Sequence, residues 1–119
     1  MIRFSQAAAW IVIVVIILLS VVPPSLRPTT PAPHKLEHLV IFALAGLAFS
    51  LGYRLSALYQ IIGMIIFAGA IEIAQLAISG RHARMSDFAM HAIGVCVGVV
   101  VGALIFKALA GHGEAAAAQ

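Results

Sequence analysis

Apolar positions in this chain gather into long unbroken runs separated by short polar stretches. The first run covers 6–22, "QAAAWIVIVVIILLSVV", and stops at Pro23 and Pro24. The second covers about 36–52, the third about 57–78 and the fourth about 88–110. A helix that crosses a bilayer needs about 20 mostly apolar residues, with a range of roughly 17 to 25. Spanning strands need only about 9 to 11 and alternate polar with apolar. These runs are longer and do not alternate, so the pattern predicts helices. Between the first two lies a connector, 23–34, that holds all five prolines. Proline lacks a backbone donor and blocks helix continuation, so this segment is expected to be an extended surface link. The tail "GHGEAAAAQ" is expected to fray.

Composition turns four helices into a statement about environment. Of 119 residues, 63% are hydrophobic and 9% charged, whereas a soluble domain carries about 25% charged residues. The expected fold class is therefore all-α: a polytopic membrane protein, one domain over 1–119, built as a bundle of four transmembrane helices. The first run is read as a retained helix rather than a secretory signal, because it exceeds most signal cores and the small-residue pattern Thr30–Ala32 is followed by Pro33. Four spans put both termini on one side. Arg3, directly before the first span, favours an inside N-terminus, which sends the connector and the 79–87 loop outward. The net charge of +3 is spread thinly, with no aromatic interleaving, so nucleic-acid binding is not expected. The single cysteine, Cys96, rules out an internal disulfide.

The polar residues left inside the apolar runs crowd toward one membrane face. Lys35, Glu37 and His38 open the second helix, Glu72, Gln75 and Ser79 close the third, and Asp87 and His91 begin the fourth. Arg81, His82 and Arg84 lie in the loop. At 100° per residue, Ala68, Glu72, Gln75 and Ser79 share one stripe, and Asp87, His91, Gly94, Gly98 and Gly102 share another. Lys35, His38, Phe42 and Gly46 are assigned to a third. Glu72 sits six residues before Ile78, so its carboxylate is expected about 9 Å below the loop, facing the bundle interior. The glycine series allows a neighbouring helix to approach closely. The three stripes are expected to converge on a loop-side polar pocket with candidate ligand-binding residues Lys35, His38, Glu72, Gln75, Arg81, Asp87 and His91. Gly94, Gly98 and Gly102 are assigned to helix packing.

Plainer roles compete at each position. Glu72 and Gln75 would serve as interhelical hydrogen-bond glue, Asp87 with Ser86 as a helix cap, and Arg81 and Arg84 as interfacial anchors. His38, Glu72, Asp87 and His91 have ligand chemistry, but they are scattered over three helices with neither an HExxH motif nor a paired-His spacing. No metal and no cofactor is expected. No nucleophile stands out, since Cys96 is mid-helix and GxSxG is absent, so the reading leans away from catalysis.

The order "HKLEHLVIFALAGLAFSLGYR", "EIAQLAISGRHARMSD", "FAMHAIGVCVG", covering about residues 33–105, resembles the VanZ-like membrane protein family. That pattern has Lys-x-x-His opening one helix, Glu-x-x-Gln closing the next, a Gly-Arg loop and an Asp before a glycine-rich helix. These fall on Lys35 and His38, Glu72 and Gln75, Gly80 and Arg81, Asp87, and Gly94 and Gly98. The chain departs at His34, where an acidic residue is more usual, and at His91, where a short amide or carboxylate is. The resemblance implies a multi-pass protein of the bacterial cytoplasmic membrane. Its expected partners are the lipid bilayer, an envelope lipid or membrane protein, and a second copy of the chain. The expected function is non-catalytic binding of an anionic or lipid-linked envelope component. The alternatives are a membrane-embedded enzyme acting on a lipid-linked phosphate, and an ion or proton pathway.

Overall fold

The computed structural model describes residues 2–26, 31, 33–78 and 85–119, apart from the side chain of Pro24. Four α-helices carry the fold: α1 (Ile2–Val21), α2 (His34–Gly52), α3 (Ala57–Gln75) and α4 (Met85–Ala117), with a short 3-10 turn at Pro24–Leu26. All four are long and apolar enough to cross a membrane. No strand occurs among the described residues.

Helix ends follow local chemistry. The Pro33 carbonyl accepts from Leu36 and Glu37 N–H, so α2 starts at His34, two residues before the expected Leu36. Ser56 caps α3, its Oγ accepting from Tyr59 N–H at 3.4 Å. That helix stops at Gln75, and 76–78 continue in tight turns with N–H groups bonded three residues back. The expected end at Ile78 is thus corrected, and Glu72 lies in the last turn, about 4.5 Å from the helix end at 1.5 Å per residue. At the other extreme, α4 runs on to Ala117 through the tail expected to fray. Its alanines are the strongest helix formers, and His112 Nδ1 lies 2.7 Å from the Ala108 carbonyl oxygen one turn back.

The helices alternate in direction. Gln6 Nε2 donates to the Gly52 carbonyl at 2.9 Å and Trp10 Nε1 to the Tyr53 hydroxyl at 2.7 Å, which sets the start of α1 beside the end of α2. α3 runs antiparallel to α4, Gly69 facing the Phe88 ring. The closest pair is α2 with α4, which run parallel at backbone contact. A Cβ on Gly94 would lie 2.5 Å from the Leu39 carbonyl oxygen, and one on Gly46 would lie 2.8 Å from that of Val95. A Cβ on Gly98 would overlap the Ala43 carbonyl, and one on Gly102 would meet Ser50 Cβ at 2.6 Å. These glycines line the α2–α4 seam, where only a bare Cα permits this approach. Ser50 Oγ donates across the same seam to the Val99 carbonyl at 3.2 Å.

The interior holds Ile13, Ile16, Phe42, Met64, Val95 and Val99 with the alanines between them. The outer faces are equally apolar: Ile11, Leu18, Ile66, Ile73, Val97 and Leu104 are all exposed. A helix that is apolar all round requires an apolar surrounding on its outer side as well.

A candidate loop-side site of histidines and carboxylates

Because α2 and α4 run parallel while α3 runs against them, three helix ends meet at the loop side: the starts of α2 and α4 and the end of α3. Buried there are His38 from α2, Glu72 and Gln75 from α3, and Asp87 and His91 from α4. His91 is completely enclosed, with 0% of its surface exposed, and its ring stacks on Phe42 at 4.0 Å between centroids. Phe42 is therefore the floor that separates this cluster from the apolar core.

The imidazoles form a line. His34 Nε2 lies 2.8 Å from His38 Nε2, and His38 Nδ1 lies 2.5 Å from His91 Nε2. His91 Nδ1 then faces Glu72 Oε1 at 3.3 Å. At the outer end, His34 Nδ1 lies 3.7 Å from Glu37 Oε2. Asp87 joins from the first turn of α4, with a ligand-capable atom within 4.8 Å of those of His34 and His38. Its place in the first turn of α4 puts it beside the positive end of that helix's dipole. Three of the chain's four carboxylates, Glu37, Glu72 and Asp87, thus stand against three histidines.

Six of the seven candidate ligand residues are described. His38, Glu72, Gln75, Asp87 and His91 are all buried at this end. Lys35 is not among them: it is exposed, and on that turn it is His34, itself about half exposed, whose ring meets His38. A long lysine places its charge in water more cheaply than inside an apolar bundle. Arg81, with Ser79, Gly80, His82 and Arg84, lies outside the described residues. His34 was not a sequence-derived candidate. Its signal was its spacing of four from His38, which puts both rings on one helix face.

Below Phe42 the described core is apolar apart from Gln60, buried near the start of α3 with its Nε2 donating to the Tyr53 and Leu55 carbonyls. The opposite end of the bundle holds a separate cleft of about 580 Å³ lined by Tyr53, Arg54, Phe106 and Lys107, among others. Arg54 sits over the Phe106 ring at 5.9 Å.

Searches with this chain find no matching family model, no matching curated protein and no matching solved structure.

Proposed function

We propose that this chain is a VanZ-like, non-catalytic multi-pass protein of the bacterial cytoplasmic membrane that binds an anionic or lipid-linked envelope component at its loop-side pocket. The observation that carries the reading is the burial of Glu72, Asp87, His38 and His91 together at one end of four apolar helices. Ionisable groups inside membrane-spanning segments are expensive, and one turn from a helix end they are within reach of lipid headgroups. Simple interhelical glue would need far less charge than three carboxylates and three histidines. Lys35, exposed on the first turn of α2, supplies positive charge at that end, and Arg81 is the cation that the sequence adds to this reading. Phe42 and the apolar core beneath the imidazoles support binding over conduction through one chain.

The test is complementation of a deletion strain scored under envelope stress. Arg81→Ala and Glu72→Gln are each expected to lose complementation at normal protein level. Full complementation by both removes the proposal. Turnover of lipid-linked phosphates by the purified protein would move the assignment to an enzyme.

A further inference from the structure

We infer that the cleft at the end of the bundle opposite the histidine cluster binds the headgroup of an anionic phospholipid, with Arg54 and Lys107 holding its phosphate. This cleft lies at the far end of the four helices from the proposed pocket and shares no residue with it.

The turn between α2 and α3 forms one wall of the cleft and α4 the other. Its volume of about 580 Å³ falls within the roughly 300–1,000 Å³ of small-molecule sites. Gln60, buried under the turn, donates to the Tyr53 and Leu55 carbonyls at 3.1 and 3.0 Å, on either side of Arg54. The turn so held carries the Arg54 guanidinium over the Phe106 ring at 5.9 Å. That contact steadies the cation but supplies no oxygen acceptor to its five N–H donors. Lys107, the next residue on α4, lines the same cleft. Neither cation has a carboxylate partner among the described residues. Of the chain's four acids, Glu37, Glu72 and Asp87 stand at the other end, and Glu114 is two turns further along α4. Two hydroxyls in the lining add donors. Ser56 Oγ accepts from Tyr59 N–H and the Tyr53 hydroxyl from Trp10 Nε1, so each keeps its own proton for a phosphate oxygen.

Depth selects a lipid as the occupant. Asp87 and Lys107 are 20 residues apart on α4, about 30 Å at 1.5 Å per residue. The hydrocarbon layer is about 30 Å thick, so with Asp87 at one headgroup level Lys107 reaches the other. The chain's one tryptophan and both tyrosines stand at this end, Trp10 bonded to Tyr53 and Tyr59 in the first turn of α3. Such rings gather at headgroup level because each has an apolar body and a polar tip. Leu55 in the cleft wall and Leu104, one turn before Lys107, are exposed, which suits acyl chains and offers a free ion nothing. Cations that merely snorkel need no cavity between them. Two cations without an acid also favour a net negative headgroup, since the ammonium of a zwitterionic one is repelled.

The experiment uses the full-length chain purified in a neutral detergent. It is titrated with dioctanoyl phosphatidylglycerol, dioctanoyl phosphatidylcholine and inorganic phosphate. Native mass spectrometry counts bound lipid, and the fluorescence of Trp10 reads affinity. One phosphatidylglycerol per chain is expected, bound at least about tenfold more tightly than phosphatidylcholine and not displaced by inorganic phosphate. Arg54→Gln and Lys107→Gln should each weaken it by about tenfold, and the double variant should lose the preference. Both residues are exposed, so wild-type helicity by circular dichroism is expected in all three. Arg3→Gln removes the same charge from the same end but outside the lining, and should change affinity less than about twofold. Equal affinity for the two lipids overturns the site, and so does an Arg3→Gln loss as large as that of Arg54→Gln. Displacement by inorganic phosphate would make the occupant a free anion and overturn the lipid. A preference abolished by Lys35→Gln but kept in the Arg54→Gln, Lys107→Gln double variant would place the lipid at the histidine cluster and overturn the cleft.

Discussion

Gly98 and Gly63 are both helical glycines in an apolar protein, yet their surroundings predict opposite responses to the same substitution. A Cβ at 98 would overlap the Ala43 carbonyl, and backbone cannot turn aside as a side chain can. Gly98→Ala is expected to destabilise by about 1–3 kcal/mol through overpacking of α2 against α4. Nothing lies within 4 Å of a Cβ at 63, so Gly63→Ala should stabilise by up to about 1 kcal/mol through helix propensity alone. Equilibrium unfolding in mixed micelles reads both signs in one experiment. Phe42 makes a third case: it is 1% exposed and stacks on His91, so Phe42→Ala is expected to cost about 3–5 kcal/mol. The same measurement checks it, and a loss under 1 kcal/mol would show that the floor of the polar cluster can collapse.

The choice between His34 and Lys35 belongs to the same scale. Both lie within about 60° of His38 on a helical projection, so phase alone leaves either one facing inward. Packing against the first turn of α4 turned His34 toward Asp87 and left Lys35 exposed.

At the scale of the element, α4 is longer than its neighbours need. Its 33 residues extend about 50 Å at 1.5 Å per residue, against a hydrocarbon thickness of about 30 Å. The last turns touch little: Cβ atoms at Gly111 and Gly113 would meet nothing within 4 Å, and residues 104–119 are exposed. A chain ending at Ala110 is therefore expected to unfold within about 0.5 kcal/mol of the full chain. A larger loss would place a contact on this segment that the bundle itself does not make. Its helicity was not legible from the glycines at 111 and 113, which suggested fraying, because propensity summed over the following alanines outweighs two exposed glycines. The early end of α3 was equally hidden. Ala77 and Ile78 are good helix residues, and only the tight turn after Gln75 ends the ladder there.

For the whole molecule, an alternating four-helix chain has both termini at the end opposite the histidine cluster, in a body 61 Å long and 24 × 23 Å across. In the proposed membrane, with Arg3 holding the N-terminus inside, the 23–33 connector faces outward. A chain with Cys96→Ser and Ser25→Cys is expected to react with an impermeant maleimide added to intact cells, and one with Ala115→Cys only after the membrane is opened. The reverse pattern would place the pocket on the cytoplasmic face.

Run length and apolar content alone determined four helices, each long and apolar enough to cross a membrane, because backbone hydrogen bonds in hydrocarbon leave an unbroken apolar segment no other structure. Periodicity within a single helix also determined that Glu72 and Gln75 share a face, and that Asp87, His91 and the glycines share another, since 100° per residue is fixed by geometry. The polar stripes pointed the second, third and fourth helices at one pocket, but which pair would touch backbone to backbone was not available at that level. Outside those stripes the helices are apolar on all sides, so hydrophobicity alone does not choose the partner. Tertiary structure decided that α2 and α4 lie parallel at backbone contact, and that His38 meets His91 across 53 residues of chain. It also decided that His34 and Asp87 come beside His38. Such contacts depend on how surfaces far apart in sequence fit together, and no local pattern encodes that fit.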